Sequence, residues 1–198
     1  MKLFWAPQTR SQRAIWMLEE AGIDYEMELV GIRDEDRQDT AEFLAASPMG
    51  KVPALVDGDA NMSESAAICI YVADRYSMGT LAPAIDDPRR GKYLYWMLYT
   101  PAVVEPAMSE RFNAVEGNRH RSGWGDFDLM IETWDSGLEG RDWILGDDFT
   151  AADVMLGSSA IFLGMFNMLP ETRNLGAYAE RCLARPANQR SLEKSESG

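Results

Sequence analysis

The chain has 198 residues, 46% of them hydrophobic, enough for one large or two small packed domains. Its net charge of −13 divides into 7 basic against 14 acidic residues up to position 78 and 12 against 18 beyond it. This even acidity excludes a nucleic-acid binder, which needs a basic face for phosphates. No apolar run approaches the ~20 residues that span a bilayer, and the opening Met1-Lys2-Leu3-Phe4-Trp5-Ala6-Pro7 is too short an apolar stretch for a signal peptide. Cys69 and Cys182 match no metal-ligand or redox spacing, and the single histidine, His120, falls in a polar, glycine-rich stretch that reads as an exposed loop. The expectation is a soluble cytoplasmic protein without a metal, not a membrane protein, whose chemistry is binding or activation of a nucleophile by simple hydrogen bonds.

Leu3-Phe4-Trp5, ended by Pro7, suits a buried strand. From Ser11 the period changes: Ala14, Met17, Leu18 and Ala21 share one helical face, and Gly22 supplies the stop. Tyr25, Met27 and Leu29 alternate with Glu26 and Glu28, the period of a half-buried strand. Strand–helix–strand is the unit that builds a parallel pair. Residues 33–39 are a charged loop, and residues 41–46 a short helix broken by Pro48 and Gly50. Val52-Pro53-Ala54-Leu55-Val56 opens a strand. Asp57-Gly58-Asp59 is a hairpin signal, so an antiparallel neighbour follows around Asn61-Met62. Residues 65–76 read as a helix with Ala66, Ile70 and Ala73 on one side.

Residues 79–88, with Gly79, Pro83 and Pro88 and no period, read as a linker. Beyond it every pattern is helical. Residues 89–115 read as one long helix kinked at Pro101 and Pro106. A glycine-rich loop spans 117–125, and a helix spans 127–138. Residues 150–166 are apolar almost all round and suit a central buried helix. A last helix covers 175–183, and the polar residues 191–198 read as frayed.

Three constellations stand out. Ser47-Pro48-Met49-Gly50-Lys51-Val52-Pro53-Ala54-Leu55 sets a Val-Pro pair at a strand start. Ser63-Glu64-Ser65-Ala66-Ala67-Ile68 sets a serine at a helix start, where a hydroxyl and free N–H groups together make an anion site. Twelve residues separate Pro53 from Ser65, room for two strands and a tight turn. Asp148-Phe149-Thr150-Ala151-Ala152-Asp153-Val154 reads as a capping box: Thr150 caps, Asp153 bonds back and Phe149 staples onto Val154.

Together these motifs resemble the bacterial-type cytosolic glutathione S-transferases, and the resemblance covers both halves of the chain. It implies an α/β thioredoxin-like N-terminal domain over residues 1–78, the linker over 79–88 and an all-α C-terminal domain over 89–198. It further implies a cis Val52-Pro53 bond, with Val52 pairing through its backbone with the cysteinyl part of glutathione. Glu64 and Ser65 would hold the γ-glutamyl amino group and carboxylate, and Lys51 would meet the glycine carboxylate. The family assembles as homodimers, takes glutathione as co-substrate and detoxifies electrophiles.

The residue that activates the glutathione thiol does not carry over from the family. The window after the first strand, Ala6-Pro7-Gln8-Thr9-Arg10-Ser11-Gln12-Arg13, contains no Tyr or Cys. Laid over the cysteine-using class, the cysteine position falls on Arg10; laid over serine-using classes, the serine position falls on Gln8. Three donors stay open, with Ser11 ranked first, Arg10 second and Thr9 third. The hydroxyls lie at a helix start and the arginine brings a fixed charge. Arg13 is assigned to a structural pair with a carboxylate. Trp5, Tyr99, Val104 and Met108 are candidate walls for a small hydrophobic electrophile. The expected activity is glutathione transfer; the alternatives are glutathione-dependent peroxide or disulfide reduction, or a non-catalytic interaction module that keeps the fold.

Overall fold

A computed structural model describes residues 1–196, which form two compact units. The first contains residues 1–77 together with the chain from position 184, and the second contains residues 78–183.

The first unit is a four-stranded sheet with helices. β1 (Lys2–Trp5) runs parallel to β2 (Glu26–Leu29) and antiparallel to β3 (Ala54–Asp57), which pairs antiparallel with β4 (Ala60–Ser63), in the order β2-β1-β3-β4. α1 (Ser11–Ala21) makes the crossover between the parallel strands, and Gly22 ends it at φ 64°, the left-handed geometry a glycine adopts without penalty. The hairpin turn is Gly58-Asp59, with Gly58 at φ +60°. Side chains alternate across a strand. Phe4 and Ala54 therefore share the face covered by α2 (Ala41–Ala46), where Phe4 and Phe43 rings meet at 5.3 Å. Leu3 and Leu55 point to the opposite face and are fully buried, and α1 packs against α3 (Ser65–Tyr76). The expected half-buried strand at 25–29 needs one correction: Leu29 is 52% exposed, because β2 is a sheet edge.

A second correction concerns the C-terminus. Most of the stretch expected to fray is α9 (Pro186–Glu196), which packs along α1; residues 197–198 lie outside the described part. Its polarity conceals the reason. Arg185, just before the helix, grips Glu20 through two bonds of 2.6 and 2.7 Å, Arg190 and Lys194 both reach Glu19, and Gln12 Nε2 donates to Ser191 Oγ at 2.8 Å. Residues 184–196 thus cluster with the sheet rather than with the helical unit.

The second unit is helical: α4 (Arg90–Tyr99), a π-helical turn (Thr100–Val104), α5 (Glu105–Phe112), α6 (Phe127–Gly137), α7 (Ala151–Met165) and α8 (Leu175–Leu183). The expected single kinked helix over 89–115 is resolved differently. The backbone widens at Pro101, and the Glu105 N–H reaches back five residues to the Thr100 carbonyl. Ten of the fifteen α7 residues are buried, as a helix apolar on all sides requires. Its capping box is closed, with Asp153 accepting from the Thr150 N–H at 2.9 Å. The same carboxylate also accepts from the Ile144 N–H at 2.8 Å and the Tyr178 hydroxyl at 3.0 Å, joining the preceding loop and α8 to the start of α7. Burial raises the Asp153 carboxyl to about 6, and its hydrogen bonds oppose the shift. Phe149 packs edge-on against Trp143 at 4.9 Å. No helix among the described residues is long and apolar enough to cross a membrane.

Candidate functional site

Strand register brings three separated segments to one end of the sheet. Phe4 pairs with Ala54, and Ala54 pairs with Ser63. The chain leaving β1, the Val52-Pro53 pair entering β3 and the Glu64-Ser65 pair leaving β4 are therefore neighbours. The Val52-Pro53 bond is cis. The loop before it is closed by Ser47, whose fully buried hydroxyl accepts from the Lys51 N–H at 2.9 Å and lies 2.8 Å from the Lys51 carbonyl. Arg37, which the sequence placed in a featureless charged loop, donates to the Gly50 carbonyl at 2.7 Å and holds the far side of the same loop. The Lys51 side chain is exposed, and Val52 is half-buried.

Glu64 has φ 73° and ψ 116°, a backbone region that costs a non-glycine residue about 1–3 kcal/mol. Such strain persists only where the surroundings over-determine it. Glu64, not Ser65, occupies the cap position of α3. Ser65 is the first helical residue and is 8% exposed. The first backbone bond into the helix runs from the Ile68 N–H to the Glu64 carbonyl. The N–H groups of Ser65, Ala66 and Ala67 therefore have no carbonyl within the helix to donate to. The Ser65 hydroxyl oxygen instead accepts from Arg13 Nη1 at 3.4 Å, and Arg13 is itself 6% exposed. One turn further along α3 lies Cys69, its sulfur 3.8 Å from the Arg13 carbonyl. Burial pushes the Cys69 thiol up to about 12, so it stays neutral and is no nucleophile.

The turn into α1 is built on Gln8, a non-glycine residue at φ 56°. It lifts Thr9 so that its Oγ1 lies 2.7 Å from the Ala6 carbonyl and 2.9 Å from Ser11 Oγ, and accepts from the Ser11 N–H at 3.1 Å. Ser11 Oγ accepts from the Ala6 N–H at 3.3 Å and is wholly enclosed, while Thr9 is half-buried and Arg10 exposed. Arg10 takes the cap position and Ser11 is the first helical residue. The candidate activating groups thus differ in exposure: Ser11 is enclosed, Thr9 half-buried and Arg10 exposed.

Of the proposed pocket walls, Trp5 is 3% exposed in the first unit. Tyr99, Val104 and Met108 follow one another along the second unit, at the end of α4, in the π-turn and in α5, and are 5%, 0% and 7% exposed. The Tyr99 hydroxyl donates to the Met130 carbonyl of α6 at 2.9 Å, and burial pushes its phenol up.

A thioredoxin-like β/α unit with a cis-proline beside the end of its sheet, followed by an all-helical unit, defines the glutathione-transferase fold. Residues 9–75 match the glutathione S-transferase N-terminal domain. Over 195 residues the chain is 24% identical to the glutathione S-transferase GstA of Escherichia coli O157:H7, covering 97% of each. Among solved structures, a glutathione transferase of Methylococcus capsulatus str. Bath superposes with a TM-score of 0.82 at 25% identity, over 100% of this chain and 99% of that one. A sphingomonad glutathione S-transferase complexed with glutathione is 27% identical, with a TM-score of 0.76 over the full length of both. The chain thus carries a glutathione S-transferase N-terminal domain and is similar over its whole length to glutathione S-transferases.

Proposed function

We propose that this chain binds glutathione at the end of the sheet and stabilises its thiolate for attack on a hydrophobic electrophile. The observation that carries this reading is the convergence of the 6–11 turn, the Val52-Pro53 pair and the strained Glu64-Ser65 corner, fixed by the Phe4–Ala54–Ser63 register. Glutathione in the sphingomonad relative adds to it. The γ-glutamyl carboxylate meets the free N–H groups and Ser65 hydroxyl at the start of α3, where the helix dipole favours an anion. Its amino group meets Glu64, the cysteinyl backbone pairs with Val52, and Lys51 takes the glycine carboxylate.

The thiolate sits at the 9–11 turn. The full enclosure of Ser11 supports Thr9 as the direct donor, with Ser11 holding Thr9 in place and the exposed Arg10 adding positive charge. A thiolate is a stronger acceptor than the Ala6 carbonyl, so the Thr9 proton turns to sulfur when ligand arrives. The thiol proton leaves to solvent, sulfur bonds to the electrophilic carbon, and the leaving group departs with its electron pair. Arg10, at the position where the cysteine-using class has its thiol, favours transfer over mixed-disulfide chemistry. The protein works as a homodimer in cytoplasmic detoxification.

Retention on immobilised glutathione, followed by a conjugation assay with an activated aryl halide, tests the reading. Specific elution by free glutathione and a measurable conjugation rate are expected. A chain that passes through unretained would overturn it.

A further inference from the structure

Arg13 has no part in the reading above, yet it is one of the few charged side chains of the first unit that is almost wholly buried. It stands on the third position of α1, facing α3, with its Nη1 on Ser65 Oγ at 3.4 Å and its carbonyl on the Cys69 thiol. A serine hydroxyl has one proton and two lone pairs. With a guanidinium N–H directed at the oxygen from behind, the hydroxyl proton is turned away from Arg13. An acceptor on the other side of Ser65 then meets a donor already aimed at it. The cation also lies close enough to favour negative charge at the start of α3, in a site where burial weakens screening.

We propose that Arg13 is a positioning residue for ligand binding: it orients the Ser65 hydroxyl as a donor and thereby makes the corner at Glu64-Ser65 selective for a carboxylate. The proposal rests on the glutathione-binding reading. Arg13 itself need not touch the ligand. It sets the polarity of the group that does, and so affects the α-carboxylate of the γ-glutamyl unit and not the rest of the tripeptide.

The probes are glutathione and glutathione whose γ-glutamyl α-carboxylate is converted to a neutral amide, titrated calorimetrically into the full chain. Wild type should bind glutathione well above the amide. Arg13→Met, which keeps a long apolar stem, should lose about ten- to a hundredfold in affinity for glutathione, the range of a charge-assisted hydrogen bond. It should lose less than about threefold for the amide, and the pKa of the bound thiol should not move. In a Ser65→Ala background, Arg13→Met should cost little more. Arg13→Lys, which keeps the charge on a shorter reach, should recover part of the loss. Equal losses for the two ligands, or full additivity with Ser65→Ala, would overturn the proposal while leaving the glutathione reading intact. Wild type that binds neither ligand would overturn both. A crystal structure of the wild type with glutathione needs no variant to fold: a carboxylate oxygen on Ser65 Oγ with Arg13 behind it supports the proposal, and Arg13 turned away from Ser65, or bonded directly to the carboxylate, defeats it.

Discussion

Thr9→Val keeps the shape of the residue and removes only its hydroxyl, so it isolates the donor assigned to the thiolate. In the free protein the Thr9 hydroxyl is already paired, 2.7 Å from the Ala6 carbonyl and 2.9 Å from Ser11 Oγ. Removing it leaves the carbonyl of Ala6, a residue 3% exposed, and the Ser11 N–H without that partner, so the fold should lose about 1–3 kcal/mol. The bound thiolate loses a charge-assisted bond, on the order of 1.5–3 kcal/mol, which raises the thiol pKa by about 1–2 units. At neutral pH that means roughly ten- to a hundredfold slower conjugation, with glutathione affinity little changed, because the peptide backbone and two carboxylates dominate binding. Ser11→Ala should cost comparable stability but move the thiol less. It strips the acceptor from the Ala6 N–H in a fully enclosed position, costing about 1–3 kcal/mol of stability, and reaches the sulfur only through a less constrained Thr9. Arg10→Ala should raise the thiol pKa by an amount that added salt diminishes, since Arg10 is exposed. The assay is ultraviolet thiolate absorbance of the bound complex against pH. A larger shift in Ser11→Ala than in Thr9→Val would refute the assignment, and a titration that none of the three variants moves would hand activation to the backbone N–H groups of the turn.

Light scattering should give a particle of roughly twice 22.2 kDa at micromolar concentration, and a monomer would remove the homodimer from the reading. Gly137→Ala should lower stability by about 1–3 kcal/mol in thermal unfolding, because the new Cβ would lie 2.6 Å from Trp96 Cζ2 and 3.2 Å from Ile144 Cδ1; a neutral change would show that this packing relaxes freely. Arg185→Ala leaves the Glu20 carboxylate, 6% exposed, with the Trp16 indole N–H at 2.8 Å, and should raise amide exchange along α9 and α1 at a stability cost of about 1–3 kcal/mol. Asp153→Asn should cost about 1–3 kcal/mol, since an amide nitrogen would face a backbone donor. Asp153 in the folded chain titrates near 6 against 3.8 unfolded, so the native state binds the proton more tightly. Its contribution to stability is complete below about pH 4 and lost as pH rises through 6. Wild type should therefore gain on Asp153→Asn as pH falls from 7 to 4, and unfolding midpoints of the two chains that run parallel across that range would exclude Asp153 as the titrating group.

Elements whose identity follows from local period and punctuation were legible. α1 carries its apolar face and a terminal glycine, β3 and β4 carry a two-residue turn, and α8 is found at the residues its pattern marks. α9 was not legible, because its sequence offers polar groups where an apolar stripe is expected. Those groups find carboxylates at 19 and 20, some 165 residues earlier in the chain, and nothing local announces such a pairing. The π-turn was half legible. Two prolines signal that regular α-helix cannot pass unchanged through 100–106, but a widened turn and a kink accommodate the missing donors equally well.

The site divides along the same line. The Val52-Pro53 and Glu64-Ser65 pairs are contiguous in sequence and their spacing dictates a hairpin, so the sequence alone could bring them to one sheet end. The 9–11 turn has three candidate donors within three residues, and their order depends on which way each side chain points. That direction is set by Gln8 in a left-handed conformation, which composition does not signal: glutamine has no preference for it, unlike glycine or asparagine. Once Gln8 turns the chain, Ser11 enters the helix and goes inside, and Thr9 closes the gap between Ala6 and the helix start. A sequence reading ranks Ser11, at the helix start where the dipole favours a thiolate, above Thr9 two residues earlier. The proposed function puts Thr9 first instead, because a donor with no exposed surface would reach a sulfur only through the hydroxyl that stands in front of it.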